Sequence, residues 1–110
     1  MTNSRNKGAA GERELAKVLS ELLGCTAKRG QQHSGLEGKD VVIGVAGIHV
    51  ECKRVQALNL GAAMEQSVRD ADEGEIPVVC HRKNNKPWLI TFDLTRLIEL
   101  SNIITDYTND

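Results

Sequence analysis

Residues 38–54, GKDVVIGVAGIHVECKR, constrain this chain more than any other stretch. Two runs rich in β-branched residues, Asp40 to Val45 and Ile48 to Val55, flank a short glycine-containing turn, which is the pattern of a β-hairpin. Strand side chains alternate between faces, so Ile48, Val50 and Cys52 share one side of the second strand while His49, Glu51 and Lys53 share the other. The apolar set reads as the core side. The charges admit two readings. They sit on a wet face at no cost, as in any half-buried hairpin, or Asp40, Glu51 and Lys53 converge to hold a metal ion and a phosphate.

Around the hairpin the period changes. From Asn6 to Leu23 the apolar residues Leu15, Val18, Leu19, Leu22 and Leu23 recur at helical spacing, and Gly24 follows as a C-terminal cap. Arg13, Glu14, Lys17 and Glu21 occupy the opposite side of that helix. Glu12 falls inside the apolar arc, aligned with Ala16, Leu19 and Leu23, and so aims a carboxylate at whatever the helix covers. As an acid near a helix N-terminus it is also stabilised by the macrodipole. Cys25 to Arg29 reads as a short strand, followed by GQQHSGLEGK, a polar glycine-rich loop of a length that points to function. Leu60 to Glu73 is a second helix with Leu60, Met64, Val68 and Ala71 as its buried stripe. Ile76 to Arg82 and Trp88 to Phe92 are strands on either side of a KNNK turn. Asp93 caps a short last helix, about Leu94 to Leu100, and residues 102–110 form a polar tail expected to fray. The order αβββαββα implies an α/β protein with a mixed sheet flanked by helices.

A chain of 110 residues makes one domain, with its core over about residues 6–101. One Trp, one Tyr and one Phe leave that core to aliphatic packing. The start carries no apolar stretch of the signal-peptide kind, and the run Val41 to Val50 is far short of the ~20 residues a membrane helix needs. The expected location is therefore the cytoplasm, with no membrane partner. Cys25, Cys52 and Cys80 lie far apart with no C-x-x-C, and read as reduced strand residues rather than a disulfide framework or zinc site. His33, His49 and His81 lack zinc-ligand spacing and read as surface or loop residues. A net charge of -1 argues against a strongly basic nucleic-acid binder. The charge is unevenly spread, however: residues 1–39 hold seven Lys or Arg against four acids, and residues 62–75 hold one against five.

Hydrolysis of a phosphodiester needs an activated water, neutralised charge on the phosphate and help for the departing oxygen, and a divalent metal contributes to all three. Mg²⁺ takes oxygen ligands, commonly one or two carboxylates, and keeps waters elsewhere. Asp40 and Glu51 on adjacent strands supply such carboxylates. Lys53 can contact the phosphate or orient the attacking water, and Glu12 can reach the metal through a water.

On these residues the chain resembles the PD-(D/E)XK nuclease superfamily, and within it the archaeal and phage Holliday junction resolvase-like proteins. The resemblance covers nearly all of residues 7–100. KGAAGERELAKVLSELLG is similar to their opening helix with its acid at Glu12, RGQQHSG to the loop bearing a functional serine at Ser34, GKDVV to the strand opened by Asp40, and ECK to the catalytic pair Glu51 and Lys53. The resemblance implies a restriction-endonuclease-like fold and a Mg²⁺ or Mn²⁺ cofactor, with the Cys52 backbone carbonyl joining the metal ligands. It also implies a homodimer and cleavage of branched DNA in a bacterial or archaeal host. Lys39 departs from the family motif, which often has proline there; proline shapes the approach to the strand and is no ligand. Many relatives carry a glutamine facing the site from the second helix, here Gln66, although its position off the buried stripe equally fits a solvent residue. Arg29, His33, Ser34, Lys39, Arg54, Arg82 and Lys83 are the remaining candidate DNA contacts, each cation also reading as a solvated charge. The expected function is a metal-dependent DNA endonuclease that resolves Holliday junctions or other branched DNA. The alternatives are a nickase or flap nuclease of the same fold, and a catalytically silent DNA-binding module. Carboxylates kept close enough to repel argue against silence.

Overall fold

The computed structural model describes residues 4–30 and 40–109, with side chains from Gly8 onward. Helix α1 (Ser4–Leu23) buries Leu15 and Ala16 and packs Leu19 and Leu23 against the same core. It ends at Gly24, whose left-handed φ of 65° turns the chain and whose N–H donates to the Ser20 carbonyl at 2.9 Å. There follow β1 (Ala27–Arg29), β2 (Val41–Ile43), β3 (Ile48–Arg54), α2 (Leu60–Asp70), β4 (Ile76–Arg82) and β5 (Leu89–Phe92). A 3₁₀ turn, Leu94–Arg96, leads into α3 (Leu97–Thr108). The class and order agree with the sequence reading: an α/β fold with a mixed, open sheet flanked by helices.

The five strands lie side by side in chain order, antiparallel except for the parallel pair β3 and β4. A parallel pair needs a crossover, and α2 is that crossover. On one face of the sheet Ile48 and Val50 stand beside Ile76 and Val78, and Val41, Leu15, Ala16 and Leu100 complete the core. The apolar parity of β3 therefore marks the core side, as its sequence implies.

The opposite face is not wet. Helix α2 lies against β3 and β4 with Ala63 and Ser67 buried, and the Ser67 hydroxyl donates to the Val78 carbonyl at 3.0 Å. His49 and Glu51 beneath it are 0 % exposed, which corrects both the solvated face expected for Glu51 and the surface position expected for His49. Central strands of a parallel crossover unit are covered on both sides. The stripe expected for α2 is corrected as well: Leu60 and Val68 are exposed, and the helix seats itself on small residues instead. Small side chains let a helix backbone approach a sheet closely, a gain that a count of apolar residues does not register.

The chain end also differs from expectation. Residues 102–108, expected to fray, continue α3, with Leu100 buried and Ile103, Ile104 and Tyr107 packed on the core. Their spacing is that of one helical face. Asp93 caps as expected, accepting from the Thr95 N–H at 2.9 Å, but the element it caps is the 3₁₀ turn. All three cysteines are free, and burial pushes the Cys80 thiol up to about 12, where it is inert.

Candidate active site

The register of β2 against β3 pairs Val41 with Val50, and continuing it by one residue sets Asp40 opposite Glu51. Asp40 Oδ2 accepts from the Cys52 N–H at 2.9 Å, which ties the carboxylate to β3. Burial pushes the Asp40 carboxyl up to about 6; the Cys52 amide and Lys53 oppose this, and the neighbouring Glu51 carboxylate adds to it. Lys53, two residues after Glu51 and on the same face, donates to Gln66 Oε1 at 3.0 Å. Gln66 is thus brought to the candidate site, and α2 is the element that delivers it.

Glu12 arrives from the other side of the sheet. A Cβ at Gly11 would stand 2.6 Å from Arg54 Cβ, so only glycine lets α1 come this close to β3. That approach sets Glu12, 8 % exposed, beside Asp40. Burial first, and then the Asp40 charge, raise the Glu12 carboxyl, against the pull of Arg29, whose Nε donates to Glu12 Oε1 at 3.1 Å.

Among the described residues no three His, Cys, Asp or Glu side chains form a cluster that would hold a metal ion. The site offers instead a pair of facing carboxylates and one buried oxygen, Glu51 Oε2, with no hydrogen-bond partner. A donor set of this kind fits Mg²⁺ or Mn²⁺, hard cations that accept one or two protein carboxylates and complete their shell with water.

The other expected contacts divide. Arg82 pairs with Glu14 and donates to the Lys86 carbonyl, while Arg54 donates to Asn84 Oδ1 at 2.6 Å and lies 3.6 Å from Glu14. Both arginines are therefore engaged within the fold. Lys83 is exposed on the turn between β4 and β5. His33, Ser34 and Lys39, with the polar loop that carries them, lie outside the described residues.

Two features went unread in the sequence. Arg13, Lys17 and Lys28 join Arg29 in lining a groove between α1 and β1, next to Glu12. Its signal was split between a helix pair four apart and a strand dipeptide, which only the fold brings together. The other is His49, whose Nε2 lies 2.9 Å from Glu51 Oε1.

The sequence profile of the family described as "Phage putative PDDEXK endonuclease" matches residues 3–109. No curated protein matches the chain. Among solved structures, the Holliday junction resolvase Hjc of the archaeal hyperthermophile Archaeoglobus fulgidus is similar, with a TM-score of 0.58 and 26% sequence identity. The match covers 78% of this chain and 72% of that one.

Proposed function

The chain belongs to this phage PDDEXK endonuclease family, within the PD-(D/E)XK nuclease superfamily, and from that premise we propose that it is a divalent-metal-dependent DNA endonuclease acting on branched DNA, Holliday junctions foremost. The observation that carries the reading is the meeting of Asp40 with Glu51, one of whose oxygens is buried without a donor, on the face that also bears Lys53.

Asp40 and Glu51 are the residues that would hold Mg²⁺ or Mn²⁺, with the Cys52 carbonyl as a further ligand and Glu12 reaching the ion through a water. When bound, the ion supplies Lewis acidity and a lowered water pKa. Lys53, steadied by Gln66, directs its ammonium at the phosphate or the attacking water and offsets the charge that grows there. Arg13, Lys17, Lys28 and Arg29 offer a track for the phosphate backbone beside the acids. These contacts carry no sequence information, so selectivity comes from the shape of the DNA.

Two strands of a junction need two such sites, which a symmetric homodimer supplies. The exposed side chains Leu89, Ile90, Leu94, Leu97 and Ile98, along β5, the 3₁₀ turn and the start of α3, are apolar surface that a second copy would cover. Residues 1–110 then work as one nuclease domain per protomer. No helix among the described residues is long and apolar enough to cross a membrane, and the proposed place of action is the cytoplasm of a bacterial or archaeal host.

The test is purified protein with Mg²⁺ or Mn²⁺ against matched duplex, flap and four-way junction DNA, with sedimentation in parallel. A dimer that leaves paired nicks in the junction is the expected result. A monomer that cuts duplex and junction equally would make it a general nuclease or nickase, and junction binding with no cleavage under either ion would make it a silent binding module.

A further inference from the structure

We propose that His49 is the positioning residue of this site, its imidazole fixing the orientation in which the Glu51 carboxylate is presented to the ion. The inference rests on the reading of Asp40 and Glu51 as metal ligands.

Glu51 is 0 % exposed, at the middle of a sheet covered on both faces. A carboxylate in such a place is costly unless donors meet it. The polar groups of α2 on that face are engaged elsewhere, Ser67 with the Val78 carbonyl and Gln66 with Lys53. The group that meets Glu51 is the imidazole two residues earlier, on the same side of β3, with 2.9 Å between His49 Nε2 and Glu51 Oε1. An ionised carboxylate only accepts, so toward Glu51 serving as a ligand the imidazole is the donor, through Nε2. Nδ1 has no hydrogen-bond partner, and Glu75 Oε1 stands 4.0 Å from it, beyond hydrogen-bond range.

The consequence is a division of labour within one carboxylate. Oε1 is held by His49, Oε2 has no such donor, and the Asp40 carboxyl lies within hydrogen-bonding reach of the Glu51 carboxylate. Rotation of the Glu51 carboxylate would break the bond to His49 and leave a buried donor and acceptor unmatched. The imidazole has little freedom of its own. It too is 0 % exposed, and its register neighbour on β4 is Pro77, a rigid side chain. Groups that hold a ligand's second atom fix its orientation and raise its affinity for metal. His49 does this for a carboxylate, with no contact to the ion.

Mn²⁺ binding to the metal-free protein, read from the loss of the free-ion paramagnetic resonance signal, tests the role without DNA or turnover. His49→Leu removes the donor, and His49→Asn keeps polarity but is too short to reach Oε1. Each is expected to weaken Mn²⁺ binding about 10- to 100-fold. His49→Gln, long enough to place an amide N–H at Oε1, is expected to recover most of the affinity. Should His49→Leu fail to fold, the Asn and Gln variants decide between themselves. Wild-type affinity in a folded Leu or Asn variant overturns the proposal, and so does a Gln variant as weak as Asn. Asp40→Asn separates the two levels. If wild type binds Mn²⁺, Asp40→Asn does not and the Asn and Leu variants still do, only the role of His49 falls. If wild type binds no Mn²⁺, the metal site falls and His49 with it.

Discussion

Glu12 and Glu14 stand two residues apart on α1 and end in regions of opposite electrostatic character. Burial alone would raise the Glu14 carboxyl, but Arg82, Arg54 and Trp88 lower it; the Trp88 Nε1–H donates to Glu14 at 3.0 Å. Glu12 has Arg29 on one side and Asp40 on the other, and burial with the like charge prevails, so its carboxyl is raised. The Glu14 region joins α1 to β3 and β4 by setting one carboxylate between two guanidinium groups. Around Asp40, acid faces acid. A fold selected for stability alone has no reason to keep the second arrangement, which becomes favourable when a cation enters.

The largest effect that would sharpen this contrast is on cleavage. Asp40→Asn and Glu51→Gln should each reduce metal-dependent single-turnover cleavage by about 100- to 1,000-fold or more, the scale of losing charge stabilisation in a transition state. Glu14→Gln should leave the rate per folded molecule unchanged. Comparable losses in all three would erase the distinction between the regions. Lys53→Ala comes next, with cleavage down about 100-fold. Because a neighbouring positive charge is gone, Mn²⁺ affinity should hold or rise slightly; an affinity loss as severe as in Asp40→Asn would make Lys53 part of the ion's support.

Stability against pH offers a third test, and the two regions should respond with opposite sign. The Asp40 carboxyl holds its proton up to about 6 in the folded chain against an ordinary 3.8, so the folded state binds more protons between those values and stability falls as pH rises through them. Asp40→Asn removes that loss. In metal-free urea titrations the variant should gain on the order of 2 kcal/mol over wild type above pH 6, with the gap closing in acid. An equal or less stable variant at neutral pH would mean that the acids are not strained.

The smallest effects belong to the pair on α1. Glu12→Gln should lower cleavage about 10-fold with little loss of stability. Glu14→Gln should cost up to about 1 kcal/mol, the range of exposed ion pairs. The Glu14 contribution is present above that group's ordinary value of 4.5 and is lost as pH falls, because its folded carboxyl is lowered. Melting and cleavage measured on both variants would show whether two neighbours on one helix serve separate ends.

Much of the candidate site was legible in the chain. Asp40, Glu51 and Lys53 were visible from alternation in a hairpin, and Glu12 from its place inside an apolar arc. His49 was not, because burial of a strand residue depends on what packs opposite it, and α2 seats itself on Ala63 and Ser67 rather than on its larger apolar residues. Gln66 was ambiguous for the same reason: turning the helix toward its small residues turns Gln66 toward Lys53. The continuation of α3 past residue 102 was legible in the spacing of Leu100, Ile103, Ile104 and Tyr107, but the polar residues between them concealed it.

Local periodicity, then, determined from the sequence alone the order of elements, the core side of β3 and the shared face of Glu51 and Lys53, since alternation and helical spacing are geometric properties of adjacent residues. Tertiary structure decided which of those charges are buried, which are paired and which face one another. The α2 crossover closed the face that carries His49 and Glu51, and the approach of α1 at Gly11 sent Glu12 to Asp40 and Glu14 to Arg82. Desolvation and charge coupling depend on distances between segments far apart in the chain, and those distances exist only once the sheet and its helices have closed on one another.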